Sequence, residues 1–233
     1  MGYLVLQGGS EFGGRMRASD LRAIALAGGR DAAVAIVPAA AAPDGNHRRA
    51  GKNGLKWFHM LGARNVTVLP LVDRQSADDP DVASGLRRSR LIYLLGGFPE
   101  YLAGVLQGST GWKAMLAALA DGAVLAGSSA GAMVLGDFFY NPVSQNLVNG
   151  LGLLRATSIV PHFNSFGRAW VGRLQKELPS ANLIGIDEET GMINDGPAGT
   201  WSVYGAGAVV IHRGHKSERY GAGQRLDLER PQH

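Results

Sequence analysis

Short apolar runs recur along the chain at 3–6, 32–37, 66–69, 91–95 and 123–126, rich in Val, Ile, Leu and Ala and without clean polar alternation. Runs of that length with no polar face predict strands buried on both sides, as in parallel sheets. Between them the apolar spacing becomes helical: Leu21, Ile24 and Ala25 share a face in 16–26, Leu55, Phe58 and Leu61 in 54–61, and a further helix covers 112–119. Strands separated by helices imply parallel crossovers. The expected fold is therefore α/β, a doubly wound, mostly parallel sheet flanked by helices in three layers, with ligands at the carboxyl ends of the strands. Gly8-Gly9, Pro38, Pro70, Gly96-Gly97 and Gly127 end the strands at that edge. After Leu151 the runs shorten, at 157–160, 183–186, 191–193, 201–204 and 208–211, with one helix near 168–178. The expected organisation is one domain over 1–213 and a polar, frayed tail over 214–233.

The run at 123–126 leads into Gly127-Ser128-Ser129-Ala130-Gly131, then into the helix-forming Ala132-Met133-Val134-Leu135. A strand, a sharp turn with small residues two places either side of a serine, and a helix make the layout of a nucleophile elbow. The turn exposes the Ser129 hydroxyl at the sheet edge, and the next amide, that of Ala130, faces the place where an oxyanion would develop. The competing interpretation is a small-residue turn with a buried, hydrogen-bonded serine.

Composition narrows the chemistry. With 233 residues, 45% of them hydrophobic, the chain is long enough to fill one large core. It has no cysteine, which removes thiol nucleophiles, disulfides and thiolate metal sites and leaves Ser129 without a competitor of that kind. The formal charge of +4 is spread among acids and forms no stripe with aromatics, so no nucleic-acid partner is expected. Arg48, Arg49, Lys52 and Lys56 are the densest basic cluster, at a loop and helix start, and read as solvated. No apolar run reaches membrane-spanning length, and residues 1–7 lack the basic segment and long apolar run of a signal peptide, so the cytoplasm is the expected compartment. No His, Asp or Glu grouping has metal-ligand spacing beyond His212-x-x-His215, which lacks further partners nearby; neither metal nor cofactor is expected.

A serine nucleophile requires a base. His162 ends the run 157–160 after Pro161 and therefore falls at the carboxyl edge, where Ser129 is also expected, although a buried structural histidine fits the same spacing. Three acids, Asp187-Glu188-Glu189, end the run 183–186 and offer the carboxylate that would orient the imidazole. Gly96-Gly97 before a helix starting near Pro99 frees the amides of Gly97 and Phe98 to approach a ligand, so that one of them serves as a second oxyanion donor. Gly8-Gly9-Ser10 reads as a wall of the same pocket.

Taken in order, Leu-Gly-Gly, Ala-Gly-Ser-Ser-Ala-Gly-Ala, His162-Phe163 with Gly167-Arg168, and Ile-Gly-Ile-Asp-Glu closely resemble the serine peptidase family of aspartyl dipeptidase (peptidase E) and cyanophycinase. The resemblance implies a flavodoxin-like sandwich similar to class I glutamine amidotransferases, with serine in place of their cysteine and no metal. It carries over Ser129 as nucleophile, His162 as base, Glu188 as acid with Asp187 in reserve, and the Gly97 and Ala130 amides as the oxyanion hole. Phe98, Pro99, Phe163, Asn164 and Arg168 become substrate-binding candidates. The chain departs from the cyanophycinase pattern at Pro99, where glutamine is usual, at Val160-Pro161, where a polar pair is usual, and at Phe166, where arginine is usual. Cyanophycin is therefore not the expected substrate. The expected activity is hydrolysis of short peptides, with acidic Asp-X dipeptides as one option and a homodimer as one assembly. Two alternatives remain: an esterase of the α/β-hydrolase class, which would need His212 or His215 as base, and a binding protein that keeps the elbow without turnover.

Overall fold

The computed structural model describes residues 2–228. Fourteen strands among them form two sheets. The first sheet contains β1 (Tyr3–Gln7), β2 (Ala33–Val37), β3 (Asn65–Val68), β4 (Leu91–Leu94) and β5 (Val124–Ser128), all parallel, in the order β1-β5-β4-β2-β3. The second contains β6 (Gly136–Asn141), β7 (Asn146–Asn149), β8 (Leu154–Val160) and β9 (Asn182–Ile186), with β6, β8 and β9 parallel. Antiparallel strands finish both sheets. β10 (Thr190–Ile193), β11 (Trp201–Gly205) and β14 (Arg225–Leu226) extend the first beyond β1, while β12 (Ala208–Arg213) and β13 (Lys216–Gly221) extend the second beyond β9.

The α/β architecture read from the hydrophobic pattern is present, and its five early strands fall within one or two residues of expectation. The second sheet was not anticipated. Its first two strands, β6 and β7, have mixed sequences, Gly-Asp-Phe-Phe-Tyr-Asn and Asn-Leu-Val-Asn, whose apolar runs are only three and two residues long between polar ends. The segment from Gly214 corrects the expectation of a frayed polar tail: residues 216–221 pair along β12, and residues 225–226 pair with β11. β13 is exposed along most of its length and held by the ladder rather than by apolar burial, so its composition resembles a tail. Residues 229–233 of that expected tail lie outside the described residues.

Among the described residues eight α-helices accompany the sheets: α1 (Arg17–Leu26), α2 (His47–Met60), α3 (Arg74–Ala77), α4 (Pro80–Arg88), α5 (Pro99–Leu106), α6 (Thr110–Ala120), α7 (Ala130–Met133) and α8 (Val171–Glu177). Period-two alternation in the parallel strands divides the core. Val5, Val34, Ile36, Leu91, Tyr93 and Val124 pack with α1 and α2, whereas Leu6, Ala35, Val37, Ile92, Leu94 and Leu125 pack with α4, α5 and α6. That second layer also takes Phe139, Ile159, Ile184 and Val209 from the inner face of the second sheet, so one apolar core joins the two sheets. The outer face of the second sheet is closed by α8 through Val171 and Leu174. Helix starts follow local rules: Pro80 occupies the first turn of α4, and the Asp79 side chain accepts from the Asp81 and Val82 amides.

Candidate active site

Five parallel strands bring their carboxyl ends to one crevice. In the first sheet β5 lies between β1 and β4, so the turn after β5, the Gly8–Glu11 loop after β1 and the Gly96-Gly97 turn after β4 are neighbours. The adjacent strands β8 and β9 of the second sheet deliver His162 and Glu188. Two backbone hydrogen bonds tie the sheets together here: the His162 amide donates to the Gly8 carbonyl (2.7 Å) and the Glu189 amide to the Gly9 carbonyl (3.1 Å).

Ser129 has φ 49° and ψ −113°, a conformation that costs on the order of 1–3 kcal/mol and that the packing around it must hold. The flanking glycines explain how the turn fits. A Cβ at Gly127 would lie 2.3 Å from the Gly131 carbonyl oxygen, and one at Gly131 would lie 2.3 Å from that of Leu94. The Ser129 amide donates to the Gln7 carbonyl at 3.0 Å, anchoring the turn to β1. Among the described residues, five of the seven non-glycine positions with positive φ (Ser10, Phe12, Ser129, His162 and Glu189) lie in these loops, a concentration of backbone strain typical of a functional site.

A chain of hydrogen bonds crosses the crevice. Ser129 Oγ lies 2.9 Å from His162 Nε2, and His162 Nδ1 lies 2.7 Å from Glu188 Oε1. With Nδ1–H donated to the carboxylate, Nε2 is left as the acceptor facing the serine. The imidazole rests on Gly9, where a Cβ would come within 2.2 Å of its Cε1. On its other side Phe166 stacks against it, with ring centroids 4.7 Å apart and planes 23° from parallel. The Glu188 amide donates to Asn164 Oδ1 at 2.9 Å.

Not every residue singled out in the sequence faces the crevice. Asp187, the reserve acid, is buried on the opposite side of its turn, where its Oδ2 accepts from the Ala208 amide at 2.9 Å; Glu188 is the acid that meets His162. Phe163 is a core residue, 2% exposed and packed against Gly185, rather than a substrate contact. Arg168 lies over the Phe163 ring at 5.1 Å and lines a separate cleft with His212 and Arg219. Asn164 holds Glu188 in place. Phe98 and Pro99 do border the site: with Pro43, Gly97, Tyr101 and Val143 they line a mainly apolar cleft of about 500 Å³. The Phe98 amide is taken by the Ala40 carbonyl at 2.8 Å, whereas the Gly97 and Ala130 amides have no acceptor among the described residues.

Neither alternative base is placed to serve Ser129. His212 packs against Phe163 and burial, with Arg168 nearby, holds it below the usual histidine range, while His215 is exposed in the β12–β13 turn. Among the described residues no three His, Asp or Glu side chains gather as metal ligands would, and no helix is long and apolar enough to cross a membrane.

Sequence reasoning missed two residues of the site, one stacked on His162 and one close to the serine. Phe166 registered only as a lost arginine. Glu11, half-buried, accepts from the Gly96 amide through Oε1 (3.1 Å) and from the Ser128 hydroxyl through Oε2 (3.0 Å). The Gly8-Gly9 turn placed its loop at the pocket, but nothing local marks a carboxylate aimed back under the next strand's turn.

An α/β sandwich with a serine on a strand-to-helix elbow, joined to a histidine and a carboxylate, defines a nucleophile-elbow fold of the hydrolase kind. The chain belongs to peptidase family S51, whose family model matches residues 4–198. It is 30% identical over 199 residues to a cyanophycinase of Synechococcus elongatus, covering 79% of this chain and 60% of that protein. A cyanophycinase of Geminocystis herdmanii is 29% identical over 177 residues, covering 70% of this chain and 63% of the other. The chain thus spans about three fifths of the length of these curated relatives. The crystal structure of a peptidase from an acI-B1 Actinobacterium superposes with a TM-score of 0.87 at 28% identity, covering 98% of this chain and 97% of that one. A putative peptidase E of Listeria monocytogenes EGD-e shares the fold at a TM-score of 0.59 and 18% identity, covering 97% of this chain and 100% of the other.

Proposed function

We propose that the chain is a serine peptidase that hydrolyses amide bonds of short peptides through Ser129, His162 and Glu188. The observation that carries this reading is the hydrogen-bonded series Ser129–His162–Glu188, set on a strained elbow beside two uncommitted amides. His162 takes the Ser129 hydroxyl proton as Oγ attacks the carbonyl carbon, and the Gly97 and Ala130 amides donate to the oxyanion. Glu188, hydrogen-bonded to His162 Nδ1, orients the ring and stabilises the imidazolium. His162 then gives its proton to the leaving amine. Water, deprotonated by His162, cleaves the acyl-serine and restores the enzyme.

Short neutral or apolar peptides suit the crevice better than Asp-X dipeptides. Beside Gly97 lies the apolar cleft of Phe98, Pro99, Tyr101 and Val143, and beside Ser129 lies the Glu11 carboxylate, which repels a substrate acid. Arg168, a substrate-binding candidate in the sequence, is stacked on Phe163.

A fluorophosphonate and a short-peptide library read by mass spectrometry test the reading. Ser129 is expected to label, and peptide turnover is expected to fall by roughly 10³ to 10⁶ in Ser129→Ala and in His162→Ala, with the double variant little worse than either single one. Near-normal turnover in His162→Ala would remove it as the base. A wild-type protein that neither labels nor turns over any peptide would leave a binding protein.

A further inference from the structure

We propose that the cleft between the Gly167–Trp170 turn, α8 and the hairpin β12–β13 is a binding site for a small organic oxyanion, separate from the Ser129 crevice. Strand alternation builds it. Val210 and His212 point from β12 to the outer face of the second sheet, and the register sets Arg219 beside Val210 and Ser217 beside His212. The same alternation turns Glu218, the acid of β13, to the other face, where its carboxylate accepts from the Tyr220 hydroxyl. Opposite the hairpin, the turn supplies Arg168 and α8 supplies Val171. Together these side chains enclose about 360 Å³.

The cleft gathers more positive charge than its surroundings neutralise. Arg168 lies over the Phe163 ring, 5.1 Å from its centroid, and its side chain has neither ion pair nor hydrogen bond among the described residues. A guanidinium resting on a ring is already ordered and keeps its in-plane N–H donors for a ligand. Arg219 reaches one acid, Asp187, at 3.5 Å, and that same oxygen accepts from the Ala208 amide at 2.9 Å. Burial and the Arg168 charge hold His212 below the usual histidine range, so the cationic groups crowd one another. An oxyanion removes that repulsion and takes paired N–H bonds from the guanidiniums, with the Ser217 hydroxyl as a further donor. Carboxylate and phosphoryl heads share this recognition. The space exceeds what an inorganic anion fills, since a water occupies about 30 Å³. Val171 and Val210 give it an apolar wall, which suits a ligand with an apolar body behind its charged head.

Calorimetric titration of the chain with phenyl phosphate, benzoate and inorganic phosphate, at constant ionic strength in chloride buffer, tests the site. The two organic anions share one apolar body and separate a phosphoryl from a carboxylate head. At least one of them is expected to bind one-to-one with a Kd of about 1 mM or tighter. Burial of the ring is expected to make that binding about 10-fold tighter than that of inorganic phosphate. Arg168→Gln with Arg219→Gln is expected to weaken it by about 10- to 100-fold, through the loss of charged hydrogen bonds. Ser217→Asp, on an exposed strand and away from the core, is expected to abolish it by setting a like charge in the cleft. Absence of saturable binding of both organic anions up to about 10 mM overturns the proposal. Inorganic phosphate binding as tightly as either overturns it too and leaves an adventitious ion only. Binding that survives both variants places the anion elsewhere, the Gly97 and Ala130 amides of the crevice included, and overturns the site. None of these readouts depends on turnover, so this proposal and the peptidase reading fail separately.

Discussion

His162 is held on four sides: by Ser129 and Glu188 through its nitrogens, by Gly9 beneath the ring and by Phe166 stacked on it. These contacts differ greatly in weight. The hydrogen bonds set the tautomer and direction of the ring, on which the proposed proton transfer depends. A ring-on-ring contact is worth about 0.5–1.5 kcal/mol beyond burial, and Phe166 is itself 53% exposed. Phe166→Ala is therefore expected to lower kcat by about 3- to 10-fold, far less than removal of the histidine, with KM for small peptides little changed. Steady-state kinetics check this, and a loss above about 10³ would mean that Phe166 does more than steady the ring. Glycine at position 9 is required twice over, by φ of 106° and by the imidazole where its Cβ would be.

The turns at the strand ends carry the next level of organisation. Gly97 shows why the Gly-Gly turn admits no side chain: at φ 140° its Cβ would strike the Ala40 carbonyl oxygen at 2.2 Å, on the segment that also accepts the Phe98 amide. The obstruction comes from backbone rather than from the ligand space. Any substitution must therefore push the turn off Ala40 and rotate the Gly97 amide. Gly97→Ala is expected to cost about 10² to 10³ in kcat/KM, as for one lost oxyanion donor, and to slow fluorophosphonate labelling in parallel. The elbow obeys the same logic, since Gly127 and Gly131 each meet backbone carbonyls. A Gly97→Ala protein with wild-type turnover and labelling would place the second donor elsewhere.

At the scale of the whole molecule, a buried polar network adds to the apolar core by tying α1 and α2 to β1 and β4 of the first sheet. Gln7 donates to Ser19 (3.0 Å) and Asp20 (2.7 Å), Trp57 donates to Asp20 (2.7 Å), and Tyr93 donates to Gln7. Burial pushes the Asp20 carboxyl up to about 7, with the Gln7 and Trp57 donors pulling down and the Glu11 charge pushing up. The folded protein therefore keeps a proton that the unfolded chain releases near pH 4, so this group's contribution to stability is full below that pH and is lost as pH rises through about 7. His212, held low by burial, contributes in the opposite sense, gaining as pH rises. Wild type minus Asp20→Asn isolates the aspartate. Thermal unfolding from pH 5 to 8 is expected to show the variant less stable, because its amide N–H₂ faces an N–H donor, with the gap narrowing as pH rises; a constant gap would refute the shift. The sequence by itself determined the alternation of buried strands and helices, the elbow and the glycine turns, because period-two and helical spacing, small-residue limits and turn chemistry act within a few residues. It also placed Ser129 and His162 at the carboxyl ends of strands, though of one sheet rather than the two that deliver them, and the family likeness singled out Glu188. Only the tertiary structure decided that Asp187 turns inward to Ala208, that Phe163 and Arg168 stack away from the serine, and that residues 216–226 extend the sheets. It alone brought Glu11 to Gly96 and Tyr93 to Gln7. Those contacts join residues 85 and 86 positions apart, and no local period records which distant strand a side chain will meet once the sheets are assembled.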